Sequence, residues 1–239
     1  VRSTSKPGPP ASPRRREWLG GRFPLPIEIE ELGAVTPEII LWLELPDDQI
    51  VWFRIIDPRD KSLSFTKSYF AALPRLLSAQ TPGELRPQGR TKHPPRDRFN
   101  CLLSFGYALV HGIVHRSLLA VGLEPAFGFY HQPRFGRASL GLDLMEPFRP
   151  LIADSAELSA INTRMVTPAD FLRTGNAVAL TANGRKKFFR AYEQRMDTLV
   201  THPLFGYRVS YRRLLELQAR LFGRYLLGEL DEYPNFVTR

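Results

Sequence analysis

The sequence predicts a mainly α fold, a multi-helix domain preceded by a small β-rich segment and a basic arm. Three observations predict it. After about residue 60, apolar residues recur at helical spacing between residues that start and stop helices. Runs rich in β-branched and aromatic residues are confined to residues 27–56. A chain of 239 residues that is 43% hydrophobic and 11% aromatic is able to bury a sizeable core, in one large domain or two small ones.

The elements follow in order. Residues 1–26 hold Pro7, Pro9, Pro10, Pro13, Pro24 and Pro26 together with Arg14-Arg15-Arg16. That composition reads as a disordered basic arm, either solvated or touching phosphates. In residues 27–59, Ile27-Glu28-Ile29-Glu30 alternates with period two. Residues 39–43 and 50–56 are strand-like, with Pro46-Asp47-Asp48 as the turn between them. Three short strands are too few for an independent core.

Residues 60–239 are predicted to form one helical domain. Phe65, Tyr69, Leu73 and Leu76-Leu77 have helical spacing, and Pro74 breaks or kinks that helix. Residues 79–95 are a polar, Pro-rich loop. Asp97 caps a long, mostly buried helix that reaches Val121 and stops at Gly122. A Gly/Pro-broken loop covers 122–138. One helix is expected from Ser139 past Pro147 to Ile161, and Thr167-Pro168 opens a short one. Helices are also expected from Thr181 to His202 and from Val209 to Gly228.

Composition narrows the function. With one cysteine, Cys101, an intrachain disulfide or a cysteine-rich zinc site is excluded, which suits a reducing, cytoplasmic setting. No run of 18 apolar residues is present, so no membrane span is expected, and the basic N-terminus is not followed by the apolar stretch of a secretory signal. The chain opens at Val1, as a processed, trimmed or fused piece would. With 33 Lys+Arg against 24 Asp+Glu, a net charge of +9 and a pI of about 10, a polyanion is a plausible partner.

Two groups of residues carry candidate chemistry. Asp143 and Glu146 stand three apart, on one face of a helix, and His131 precedes them by twelve residues across a Gly-containing turn. Histidine with carboxylates suits Mg2+ or Mn2+ and chemistry at phosphate. On spacing alone, a solvated Asp/Glu pair and a loop histidine is the favoured reading. The second group is basic. Arg86, Arg90, Lys92, Arg96 and Arg98 surround the start of the long helix. Arg185, Lys186, Lys187, Arg190 and Arg195 lie on a second helix, and Arg212, Arg213, Arg220 and Arg224 on a third. Together they are compatible with phosphate contacts from several helices. His111 and His115 have the spacing of a zinc pair without its glutamate, and read as core or interface histidines. No nucleophile elbow and no phosphate-binding P-loop is present.

Several ordered segments resemble one known family. Pro95-Arg96-Asp97-Arg98-Phe99-Asn100 leads into Leu103-Ser104-Phe105-Gly106-Tyr107, which is similar to its N-x-x-L-S-[FY]-G-Y helix. Gly128-Phe129-Tyr130-His131, Asp143-Leu144-Met145-Glu146-Pro147-Phe148-Arg149-Pro150, Thr201-His202-Pro203-Leu204 and the stretch from Tyr211 to Arg220 follow in the family's order. The family is the CRISPR-associated integrase, the endonuclease subunit of the spacer-acquisition complex, and the resemblance spans about residues 60–239. It implies a Mg2+- or Mn2+-dependent DNA transesterase. It implies homodimers flanking a small ferredoxin-like partner, with double-stranded DNA as substrate and no membrane role. His131 and Glu146 match the family's metal positions and Asp143 the neighbouring acid, with Arg149 beside them among the residues expected at DNA. The family's remaining metal-binding glutamate falls seven residues before Tyr69, which is Ser62 here. Serine is a poor Mg2+ ligand. Asp60 or Asp57 could substitute off register; otherwise the chain would be a catalytically impaired scaffold that still binds DNA. A metal-dependent nuclease outside CRISPR is the third reading.

Overall fold

The computed structural model describes the backbone of residues 39–44 and 50–55, and all of residues 69–236. The arm at 1–26, the alternating Ile27–Glu30 run, the expected turn at 46–48, and Ser62 with Asp57 and Asp60 lie outside the described residues. The fold is mainly α, as predicted. The two described strands of the small segment are β1 (Ile39–Glu44) and β2 (Ile50–Ile55). They pair antiparallel, with Trp42 opposite Trp52.

Residues 69–72 are helical and tighten into a 3₁₀ turn, Leu73–Leu76, where Pro74 has no N–H to continue the α ladder. The long helix α1 (Arg98–Ala120) starts where the Asp97 carboxylate accepts the Asn100 N–H at 2.7 Å. It ends at Gly122, whose φ of 80° lets Leu123 N–H return to the Leu118 carbonyl at 3.0 Å. By length and composition α1 passes as a membrane span. It lies instead at the centre of the fold. Val110, Val114 and Leu118 serve one core cluster, and Phe99, Leu102 and Leu103 serve the other.

The single helix expected over 139–161 is four pieces. They are α2 (Ser139–Met145), a 3₁₀ turn (Glu146–Phe148), a π turn (Arg149–Asp154) and α3 (Ser155–Asn162). Pro147 and Pro150 each remove an amide donor, so the ladder changes pitch through both residues instead of kinking once. The short helix after Thr167 is one 3₁₀ turn (Pro168–Asp170) with a reciprocal Thr167–Asp170 capping box. Two hairpins are unpredicted. β3 (Phe171–Thr174) pairs with β4 (Ala177–Leu180) about Gly175, at φ 58°. β5 (Leu199–Thr201) pairs with β6 (Arg208–Ser210). They shorten the neighbouring helices to α4 (Ala182–Met196), capped by Thr181, and α5 (Tyr211–Leu226), capped by Ser210.

Candidate functional site

The site is built on the loop before α2. Asp143 is in the first turns of α2, with a side chain wholly buried. Its Oδ2 accepts the backbone N–H of Phe129 at 2.7 Å and of Tyr130 at 3.1 Å. Its Oδ1 accepts the N–H of His131 at 2.8 Å and meets His131 Nδ1 at 2.6 Å. Four donors fill the acceptor positions of one carboxylate. An ionised carboxylate only accepts, so the ring hydrogen of a neutral His131 sits on Nδ1. The Nε2 lone pair is left free on a side chain that is 20% exposed. Gly128 makes this approach possible. A Cβ there would lie 2.6 Å from the His131 carbonyl oxygen and 2.7 Å from Asp143 Oδ2.

Glu146 opens the 3₁₀ turn that follows. Both its oxygens accept from Arg149 NH1, at 2.8 and 2.7 Å. The Arg149 guanidinium lies 4.2 Å from the Tyr107 ring centroid, and Arg90 lies 5.7 Å from the same centroid and 5.2 Å from that of Phe70. Arg90 is itself fixed by the side chain of buried Asn100, at 2.7 Å. Partial burial, then Arg90 and Arg149, hold the Lys92 ammonium below its usual range, and Glu146 opposes them. Two cations, Arg149 and Lys92, thus act on Glu146, while Arg90 lies beside Arg149 and acts on Glu157 and Asp154. Tyr130 lies near both carboxylates. Its phenol is raised by burial and then by Glu146 and Asp143.

Beneath this layer lie two buried acids that the sequence reading passed over, Asp154 and Glu157. Burial pushes the Asp154 carboxyl up to about 6, against the pull of Arg149, Tyr69, Tyr107 and Arg90. Tyr69 donates its hydroxyl hydrogen to Asp154. Burial, then the charge of Asp154, lifts Glu157 well above the usual carboxylate range, and neither of its oxygens has a hydrogen-bond partner among the described residues. The signal in the sequence was an acid at core-facing positions between apolar neighbours, as in Ile152-Ala153-Asp154 and Ala156-Glu157.

The structure thus joins His131 to Asp143 and sets Glu146 beside Arg149 one turn further on. Among the described residues no group of three or more His, Cys, Asp or Glu side chains gathers around one point. Asp143 stands behind His131, its oxygens taken by protein donors. His111 and His115 pack edge to face at 6.1 Å, and His111, lowered by burial, faces the Ala138 carbonyl at 3.5 Å.

The basic residues divide. Arg149 and Lys92 act on Glu146, and Arg90 is held by Asn100 over the Tyr107 and Phe70 rings. Arg86 binds the Ser78 carbonyl at 2.6 Å, and Arg98 reaches the Glu84 carbonyl at 3.5 Å. Lys187 pairs with Asp170 at 2.8 Å, Arg212 with Glu193 and Asp197 at 2.5 and 3.3 Å, and Arg213 with Glu216 at 2.5 Å. Arg96 and Lys186 are exposed and have no ion pair among the described residues. Arg116, which the sequence reading left out, lines an open groove of about 420 Å³ between α1 and α5 with Arg212 and Arg220.

Comparison with known proteins places these features in one family. Residues 63–194 match the family model described as CRISPR associated protein Cas1. A CRISPR-associated exonuclease Cas4/endonuclease Cas1 fusion from Geobacter sulfurreducens is 57% identical over 150 residues, covering 63% of this chain and 27% of the relative. A CRISPR-associated endonuclease Cas1 from Thermus thermophilus is 43% identical over 171 residues, covering 72% of this chain and 50% of the relative. A solved Cas1 protein from Thermotoga maritima superposes with a TM-score of 0.62 at 27% identity, covering 72% of this chain and 51% of that one. The chain spans half or less of the length of these two curated relatives.

Proposed function

The chain belongs to the Cas1 family of CRISPR-associated proteins, and on that premise we propose that it carries the catalytic lobe of a DNA endonuclease and integrase that inserts spacer DNA into a CRISPR array. The observation that carries the proposal is the His131–Asp143 pair beside Glu146. It offers one partly exposed imidazole nitrogen and one largely buried carboxylate held by Arg149, with Lys92 and Arg90 nearby. The naming of curated relatives as endonucleases supports the same reading.

His131 Nε2 and the Glu146 carboxylate are the donors that would hold Mg2+ or Mn2+, and their hard-to-borderline character fits either ion. Such an ion supplies Lewis-acid polarisation of a phosphodiester. The chain's own residues do the rest. Asp143 fixes the ring and tautomer of His131, as partners behind a metal-binding histidine do. Arg149 holds the Glu146 carboxylate in one orientation. Arg90 and Lys92 place positive charge where phosphate oxygens would lie. Arg96 and Lys186 extend that charge outward, for a double-stranded DNA substrate. The assembly proposed is a homodimer with a small ferredoxin-like partner.

A second reading rests on Ser62, which stands where the family resemblance expects a glutamate. It is a DNA-binding scaffold subunit with impaired chemistry. Strand transfer of a 3′-OH duplex into a supercoiled repeat plasmid, by the natural full-length protein with its small partner and Mn2+, separates the two. Product from the unaltered protein supports the enzyme. Product only from Ser62→Glu supports the scaffold, and loss on Asp60→Ala identifies a displaced ligand.

A further inference from the structure

The π turn creates a neighbourhood that a regular helix would not allow. Its backbone bonds run from residue i to residue i+5. Its end residues, Arg149 and Asp154, therefore come within reach of one another, and each acts on the other's charge. In an α-helix they would stand about 140° apart around the axis. Tyr107 of α1 lies against both. The Arg149 guanidinium sits 4.2 Å from its ring centroid, and its hydroxyl is close to Arg149 and to Asp154.

The hydrogen bonding of this group is incomplete. Arg149 donates to both oxygens of Glu146 through one terminal nitrogen, at 2.8 and 2.7 Å. Asp154 accepts the Tyr69 hydroxyl on Oδ2. Asp154 Oδ1, the Tyr107 hydroxyl and Arg149 Nε are all buried, and none has a hydrogen-bond partner of normal geometry among the described residues. An acceptor, a donor and a hydroxyl able to be either thus lie together unsatisfied. Unpaired buried polar groups are costly, and a short swing of the Arg149 side chain would pair all three. That swing would release Glu146.

Arg149 therefore has two seats, one on each carboxylate that acts on it. A guanidinium this enclosed needs an opposite charge beside it. While Glu146 is a bare carboxylate, it supplies that charge. A divalent ion on Glu146 repels the guanidinium and leaves Asp154 as the acid within reach.

We propose that Asp154 is a positioning residue, the second seat of Arg149: it receives the guanidinium when Glu146 is engaged by a divalent ion, so that Arg149 occupies Glu146 only until then. The inference rests on the metal-binding reading of Glu146 and adds how that carboxylate is held and released.

The test has two arms, both on the full-length natural protein without DNA. The first needs no ion. In EDTA, a crystal structure of Glu146→Gln, whose amide carries no charge, should show the Arg149 guanidinium within about 3.2 Å of Asp154 Oδ1, where the parent keeps it on Glu146. The second arm is Mn2+ affinity, read from the electron paramagnetic resonance of the free ion. Arg149→Gln should bind Mn2+ at least about threefold more tightly, because a competitor is gone. A residue that only orients Glu146 would give weaker binding instead. Asp154→Asn should bind Mn2+ about fivefold to about a hundredfold more weakly, because Arg149 is left on Glu146. In the Arg149→Gln background the same change should alter affinity by less than about twofold, which separates a lost seat from a damaged fold. A guanidinium that stays on residue 146 in Glu146→Gln would overturn the proposal. So would weaker Mn2+ binding by Arg149→Gln, or an Asp154→Asn loss of equal size in both backgrounds. A parent that binds no Mn2+, with the guanidinium still moving in Glu146→Gln, would overturn the metal reading of Glu146 and support the two seats.

Discussion

Asp143→Asn should both destabilise the protein and disarm His131. The Asp143 carboxylate meets two donors on each oxygen, His131 N–H and Nδ1 on one, and the N–H groups of Phe129 and Tyr130 on the other. Asparagine keeps one carbonyl oxygen, so its amide nitrogen must face one of the two pairs. If it faces Phe129 and Tyr130, two buried donors lose their acceptor, at about 1–3 kcal/mol each, or about 2–6 kcal/mol together. If it faces His131, the backbone N–H is orphaned. The ring must then accept at Nδ1, which moves its hydrogen to Nε2 and removes the outward lone pair. Urea unfolding of the parent and the variant, with the slope against urea unchanged, reads the first consequence. Nitrogen NMR of the His131 ring reads the second. A variant within about 0.5 kcal/mol of the parent, with the ring still protonated at Nδ1, would refute the reasoning.

Three further outcomes are expected. Gly128→Ala should cost about 1–3 kcal/mol and displace the loop, because its methyl would press on the His131 carbonyl and on Asp143 Oδ2, neither of which is free to move; an unchanged urea midpoint contradicts this. Asp154 has a folded-state pKa of about 6, above its ordinary 3.8, so the folded state binds the extra proton and stability rises as pH falls from about 6 to about 4, by at most about 3 kcal/mol. Asp154→Asn should flatten that rise, leaving the part that Glu157 contributes with the same sign, and an identical pH profile in the two proteins contradicts it. The Cys101 thiol is buried and pushed up to about 11, by burial first, so iodoacetamide should label it at pH 8 only on unfolding; rapid labelling of the native protein contradicts this.

The sequence made α1 fully legible. Asp97, the apolar spacing and Gly122 are local signals, and each has the role they imply in the structure. The 139–162 segment was half legible, because its apolar period survives the two prolines while the hydrogen-bond ladder does not. The β3–β4 and β5–β6 hairpins were hidden, since three- and four-residue strands carry too few alternations to compete with the helices beside them. The site divides in the same way. His131, Asp143 and Glu146 were candidates from residue type and spacing and were chosen by the family resemblance, but spacing cannot show that Asp143 spends its oxygens on the 128–131 loop. Nor did it show that Lys187, Arg212 and Arg213 are neutralised by Asp170, Glu193, Asp197 and Glu216. Those pairings join residues that only the tertiary fold or a helix turn brings together.

The central claim is that His131 and Glu146 serve a divalent ion in DNA chemistry. Its most direct measurement is strand transfer into a repeat plasmid by the full-length protein and its small partner, with Mn2+ or with EDTA, comparing the parent with His131→Ala and Glu146→Gln. The account predicts product from the parent in Mn2+ alone and a loss of at least about a hundredfold in both variants, with duplex binding in EDTA retained. Product that survives EDTA, or that either variant forms at the parent's rate, would contradict it.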